Sequence, residues 1–199
     1  MPSFNDLLEL HKRLDALFLE HQRALLRMNV DRAEMLLIEY ESELTAHMRD
    51  EEELMLPLYG ERARIPVGGA VEIFCGEHEK LRQYLVLFKA ELNKLKGASD
   101  LERAILFLLD SQHLFKRLLV HHDNREKRML YPLLDEVTTA DERASVFEQI
   151  ELMADRVKRV STGSGSDRVK RVSTGSDSDR GLHPLMQVTR SLSLPVLTS

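Results

Sequence analysis

Apolar positions recur at three- and four-residue steps along most of the first 150 residues. Leu7, Leu10, Leu14, Leu17 and Phe18, continued by Leu25 and Met28, form a stripe with a period near 3.5, the mark of a helix that buries one face. Ser3 with Asp6 opens it, and Asn29-Val30-Asp31 breaks it, with Asp31 placed to cap a second helix. The second stripe runs through Met35, Ile38, Leu44 and Leu54 to Pro57, where the missing N–H predicts a kink or an end. Residues 60–69, with Pro66 and Gly68-Gly69, read as a loop. A third helix is expected from about Ala70 to Lys96, with Phe74, Leu81, Leu85 and Phe88 on one side. Gly97 stops it, Ser99 with Glu102 forms a capping box, and a fourth helix follows from about Asp100 to Glu136. Thr139 with Glu142 marks another box and a short fifth helix to about Ala154. No alternating strand pattern exceeds a few residues. The expected fold class is all-α: an antiparallel up-down-up-down four-helix bundle with a short fifth helix and a disordered C-terminal tail.

The pattern changes at Asp155. Asp-Arg-Val-Lys-Arg-Val-Ser-Thr-Gly-Ser recurs from Asp167, a period of 12, and two copies rich in Ser, Gly and charge do not make a solenoid. The expected organisation is a bundle over residues 1–154 and a low-complexity tail over 155–199. Composition agrees: 43% hydrophobic and 31% charged residues suit amphipathic helices. A formal net charge of -5 argues against nucleic-acid binding. The single cysteine, Cys75, rules out an internal disulfide framework and a multi-thiolate zinc site, and fits the cytoplasm. No apolar run approaches a membrane span and no secretory signal is evident.

The chemistry lies in a pattern that occurs twice. His47 is followed by Glu51 and Pro57, and His122 by Glu126 and Pro132, both as H-x-x-x-E-x-x-x-x-x-P, with a leucine before Pro57 and a tyrosine before Pro132. Helical positions four apart lie about 40° apart in azimuth and about 6 Å apart along the axis, so each copy offers an imidazole and a carboxylate to one point. In an antiparallel hairpin, residues at equal height sum to about twice the number of the turn's midpoint. A first turn near residue 29 sets His47 level with His11, and a turn near residue 99 sets His122 level with His78. His21 sits too far along its helix to join them, His113 points away, His121 is rotated off the face, and His183 lies in the tail. Four imidazoles and two carboxylates buried together are costly unless a metal ion satisfies their lone pairs and charge. The candidate ligands are therefore His11, His47, Glu51, His78, His122 and Glu126. Six such donors exceed one tetrahedral zinc and fit two ions bridged by the glutamates. The donor types suit iron, manganese or zinc, and no Glu-x-x-His of the ferritin-like kind occurs.

At His11, His47-x-x-x-Glu51, Glu77-His78-Glu79 and His122-x-x-x-Glu126 the chain resembles the hemerythrin-like (HHE cation-binding) family over roughly residues 5–136. The resemblance implies a non-heme centre of two iron ions, with Glu51 and Glu126 bridging and the four histidines as terminal ligands. Oxygen-carrying members add a fifth histidine one turn after the third-helix ligand, where this chain has Arg82, expected to pair with Glu43 or Asp15. The expected function is binding or sensing of O2, NO or iron itself, rather than catalysis. The alternatives are a di-iron oxidase or peroxidase acting on peroxide or Fe2+, and a bundle whose metal serves structure or regulation. Tyr40, Tyr84 and Tyr131 read as core or rim residues, Cys75 as a buried thiol, and Met48, Met55 and Met129 as core filler. Arg49-Asp50, Glu52-Glu53, Arg125 and Lys127-Arg128 read as solvated faces.

Overall fold

The computed structural model of this chain describes the backbone of residues 2–163 and the side chains of residues 2–152. Ser3 and Asp6 form their reciprocal box over a 3-10 turn, Phe4–Leu7, which runs into α1 (Leu8–Leu26). Met28 adopts a left-handed φ of 54° and reverses the chain into α2 (Val30–Asp50). The cap of α2 is Asn29, whose side chain accepts from the Arg32 N–H at 3.1 Å, and not Asp31. The buried face of α2 is Ala33, Leu36, Leu37, Tyr40 and Leu44, whereas Met35 and Ile38 are each 54% exposed. Of the expected stripe Leu44 faces inward, while Leu36, Leu37 and Tyr40 take the places expected of Met35 and Ile38. A step of about 100° per residue takes Met35 and Ile38 out of the seam that Leu37, Tyr40 and Leu44 fill.

After α2 the backbone widens into a π-helical turn, Glu51–Met55, and continues as α3 (Leu56–Arg62). Pro57 falls in the first turn of α3, directly after the π turn, and its missing N–H leaves a carbonyl of that turn without a helical bond. The helix still passes the proline, and the local irregularity lies on its N-terminal side. The same arrangement recurs later. α4 (Val71–Leu95) leads to α5 (Leu101–Arg125), then a second π-helical turn, Glu126–Leu130, and α6 (Tyr131–Val137) with Pro132 in its first turn. Asp100, not Ser99, caps α5 by accepting from the Arg103 N–H at 3.1 Å. The Thr139–Glu142 box forms as expected, with both bonds made, and opens α7 (Ala140–Gly163). That helix extends past the anticipated end near Ala154, so the first residues of the 12-residue repeat are helical. The rest of the expected tail lies outside the described residues.

Helices α1 with α2 and α4 with α5 form two antiparallel hairpins, and α2–α4 and α1–α5 contacts close the bundle. The described residues are all-helical, as the periodicity implied. Apolar packing forms two bodies. One centres on Phe18, Tyr40, Phe88 and Phe115, with ring centroids of Phe18 and Phe88 5.2 and 5.3 Å from that of Phe115. The other gathers Phe4, Met55, Tyr59, Phe74, Leu134 and Val146, where α3, α6 and α7 cover the bundle's end. In chain order His11 lies between Leu7 and Leu14, His47 and Glu51 between Leu44 and Met55, His78 between Phe74 and Leu81, and His122 and Glu126 between Phe115 and Leu130. The polar side chains thus form one layer between two apolar bodies. Among the described residues no helix is long and apolar enough to cross a membrane.

Candidate metal centre

All six expected residues meet in that layer, each 7% exposed or less. The hairpin register holds. Nε2 of His11 lies 2.8 Å from Nε2 of His47, and Nε2 of His78 lies 3.1 Å from Nε2 of His122. Each glutamate, at the first position of a π-helical turn, presents one oxygen to each pair. Glu51 places Oε1 3.7 Å from His47 and Oε2 3.2 Å from His78. Glu126 places Oε2 3.3 Å from His11 and Oε1 2.6 Å from His122. The donor atoms group as Glu51, His78, His122 and Glu126 on one side and His11, His47 and Glu126 on the other.

The outer partners fix what these atoms can be. His78 Nδ1 lies 2.8 Å from Glu52 Oε1, and His122 Nδ1 lies 3.0 Å from Glu77 Oε2. A carboxylate only accepts, so in both rings Nδ1 carries the proton and, in the neutral imidazole, Nε2 presents a lone pair. The two Nε2 atoms then face each other and the oxygens of Glu51 and Glu126. Glu51 Oε2 and Glu126 Oε1 have no hydrogen-bond partner of proper alignment, although Glu126 Oε1 sits 2.6 Å from His122. Such atoms repel unless a cation lies among them, and buried unpaired charge costs several kcal/mol or more per ion. Atoms about 2.1 Å from one octahedral ion are ~3 Å apart, which matches the spacings observed. The residues present fit two cations.

The electrostatics divide the rings: against the burial that lowers it, Glu126 and Glu77 raise His122 well above the usual imidazole range, so this ring must give up a proton to ligate. Burial, reinforced by the His47 imidazole, pushes His11 down to about 3, and burial likewise lowers His47, so both rings stay neutral and able to ligate. Burial raises Glu126 well above the carboxylate range, with the Glu51 charge as the next cause. At Glu51 the opposing burial is outweighed by His47, His78 and His122, which hold its carboxyl low.

Several side chains depart from expectation. Arg82, in place of a fifth histidine, pairs with neither Glu43 nor Asp15. Its Nη1 and Nη2 donate to Glu52 Oε1 and Oε2 at 3.0 and 2.8 Å, backing the carboxylate that holds His78. Arg125 mirrors it by donating to Glu77 Oε1 at 2.9 Å and to the Gly68 carbonyl at 2.6 Å. Glu52 and Arg125 are therefore half-buried parts of the site and not solvated faces. Both lie one residue from a ligand in the sequence, and turning partly inward lets them meet the second nitrogen of a ring or its carboxylate. Cys75 is exposed, because the inward face of its turn is taken by Phe74 and His78. Tyr131 is fully buried, and its hydroxyl donates to Glu51 Oε1 at 2.8 Å while lying 3.3 Å from His11 Nε2 and 3.4 Å from Glu126 Oε2. His21 is buried but structural: Nδ1 donates to the Ala33 carbonyl at 2.8 Å and Nε2 accepts from Gln112 at 2.9 Å. His113 and His121 are exposed, and His183 lies outside the described residues.

A void of about 10 Å3, the room of about one water, touches His11, His47 and His122 and is also lined by Asp15, Tyr40 and Asp123. An open groove of about 420 Å3 between α1 and α5, flanked by Lys12 and Lys127, reaches the same His11, Asp15 and Asp123 from outside. A larger groove of about 530 Å3 on the outer face of α4 and α5 contains none of the six cluster residues.

A helical bundle enclosing a buried layer of imidazoles and carboxylates that face one another is a non-heme metal-binding bundle. The model of the hemerythrin HHE cation binding domain matches residues 3–134, and the chain belongs to that family. No curated protein and no solved structure shows a significant match to it.

Proposed function

We propose that the chain holds two non-heme iron ions and uses them to bind or sense a small diatomic ligand, O2 or NO. His11 and His47 would hold one ion and His78 and His122 the other, with Glu51 and Glu126 bridging. The observation that carries this reading is the division of each carboxylate, one oxygen towards each histidine pair. Iron in such a centre supplies electrons and open coordination positions for a small ligand. The protein supplies imidazoles whose Nδ1 atoms are oriented by Glu52 and Glu77, and donors buried between two apolar bodies. The void beside His11, His47 and His122 admits an occupant of about water size, which favours a diatomic over an organic substrate. Arg82 supports a second reading, an oxidase or peroxidase acting on Fe2+ or peroxide, because a guanidinium cannot ligate and leaves coordination open. Manganese and zinc suit the same donors. We place the protein in the cytoplasm, where the exposed Cys75 stays a thiol.

The test is to load the full chain anaerobically with Fe2+, measure metal per chain, and record the visible spectrum before and after O2 or NO. Two irons per chain, lost together in Glu51→Ala and Glu126→Ala, and a gas-dependent spectrum that reverses on removal of the gas are expected. A chain that takes up fewer than two ions, or a spectrum indifferent to both gases, refutes the reading. Sustained peroxide consumption would move the assignment to the enzyme.

A further inference from the structure

The two halves of the layer are not equivalent. Around His78 and His122 the protein offers four inward donor atoms, the two Nε2 atoms with Glu51 Oε2 and Glu126 Oε1, at separations of 2.6 to 3.2 Å. Around His11 and His47 it offers the corresponding four and one more. The Tyr131 hydroxyl oxygen stands 2.8 Å from Glu51 Oε1, 3.3 Å from His11 Nε2 and 3.4 Å from Glu126 Oε2. Three donor atoms at about 3 Å from a fourth is the spacing of neighbouring vertices around one ion. A hydroxyl placed only to satisfy one carboxylate would need contact with that carboxylate alone.

The repeat in the sequence explains why just one half has this atom. Each π-helical turn starts at a bridging glutamate and is followed, five residues on, by the residue before the proline: Leu56 after Glu51 and Tyr131 after Glu126. The π turn advances more residues per revolution than an α-helix, so positions five apart share a face. Leu56, also buried, has no donor to offer.

We propose that Tyr131 is a direct protein ligand of the ion held by His11 and His47, so that this ion carries five protein donors and its partner four. On binding, the phenol O–H bond breaks, its electron pair stays on oxygen to make the bond to the metal, and the proton leaves to water; no redox change is required. The ion held by His78 and His122, beside the Glu52–Arg82 pair, then has one protein donor fewer than its partner.

This assignment rests on the two-iron reading, and metal content separates the two. The experiment is resonance Raman spectroscopy, with visible absorption, on the full chain loaded with ferric iron, with metal per chain measured on the same sample. Expected are phenolate ring modes in resonance with a visible band, shifted when the tyrosines are ring-deuterated. Tyr131→Phe should lose them while keeping two irons, and Tyr40→Phe, whose ring lines the neighbouring void, should keep them. A wild-type chain with two ferric ions and no phenolate modes overturns the ligand assignment while leaving the two-iron reading standing. Modes that survive in Tyr131→Phe overturn it as well. A chain without two irons overturns both. If Tyr131→Phe does not fold, elimination decides, since the chain has four tyrosines. Modes that persist in Tyr40→Phe, Tyr59→Phe and Tyr84→Phe support Tyr131, and loss in any one of the three overturns it.

Discussion

Removal of Glu77 should weaken one metal ion much more than the other. Glu77 Oε2 accepts the Nδ1 proton of His122, and Oε1 takes the Arg125 guanidinium at 2.9 Å. Its side chain is 10% exposed, against 27% for Glu52, the equivalent partner of His78. Such outer partners fix the ring's tautomer and raise its basicity, and their loss typically costs ~10 to 100-fold in metal affinity, or about 1.4 to 2.7 kcal/mol. Glu77→Gln keeps an acceptor for His122 and loses only the charge, so it belongs at the lower end. Glu77→Ala leaves the buried Nδ1–H without a partner and strips Arg125 of one of its two anchors, so it belongs at the upper end. Glu52→Ala, more exposed and more screened, should cost less than Glu77→Ala. Competition against a chelator of known affinity, followed as ion release per chain, should resolve a weakened ion from an unchanged one. Equal weakening of both ions, or no change in Glu77→Ala, would refute the assignment of separate halves with separate supports.

Three further outcomes test the layer and its frame. His11→Ala should lose an ion with little effect on the apolar cores. His21→Ala should keep both ions but unfold at lower urea, by ~2 to 4 kcal/mol, because it opens a cavity and leaves Gln112 unpaired; metal analysis and urea titration of both variants separate the two roles. In the metal-free chain, His11 has a folded value of about 3 against 6.5 for the free ring, so below pH 6.5 the unfolded chain takes up a proton that the folded chain refuses. Stability should fall as pH drops from 7 to 5, by up to about 1.4 kcal/mol per pH unit from this ring, and the slope should be shallower in His11→Gln; equal slopes would contradict the burial argument. In Gly69→Ala the new methyl would stand 2.7 Å from the Tyr59 hydroxyl and 3.2 Å from Pro66, an overlap that should cost ~1 to 3 kcal/mol in thermal or urea unfolding.

The bundle and the donor layer were legible because both are matters of helical period and hairpin register. His11 could be preferred to His21 from turn position alone, and the structure puts its Nε2 against that of His47. What escaped was local direction. A period of 3.6 assigns Tyr131 to an apolar stripe correctly, but says nothing of where its hydroxyl ends. The π turn that brings it beside Glu126 precedes a proline in both copies of the pattern, and helical periodicity alone does not anticipate it. Its one trace is the residue before each proline, leucine in one copy and tyrosine in the other. Height along the helices points Arg82 to Glu43 or Asp15, which lie one turn from His47 and His11, whereas its partner is Glu52. Glu52, one residue beyond Glu51, reaches the guanidinium bidentately because the chain has already begun to unwind there. The caps at Asn29 and Asp100 show the same limit: neighbouring polar residues compete for one N–H, and backbone angles decide between them.

The crossing of the two glutamates has a consequence for time as well as for affinity. Each hairpin owns one histidine pair, yet each carboxylate faces the pair of the other hairpin as well, so loss of either ion would leave an unmatched oxygen on both hairpins. On the side away from the α1–α5 groove, departure of a cation would require the two hairpins to part at mid-height, between apolar bodies that both resist the separation. Exchange of metal by that route should therefore keep pace with the rare collective openings seen in amide hydrogen exchange rather than with the motion of any surface loop. The clasp makes the lifetime of the bound ions a clock for the breathing of the whole bundle.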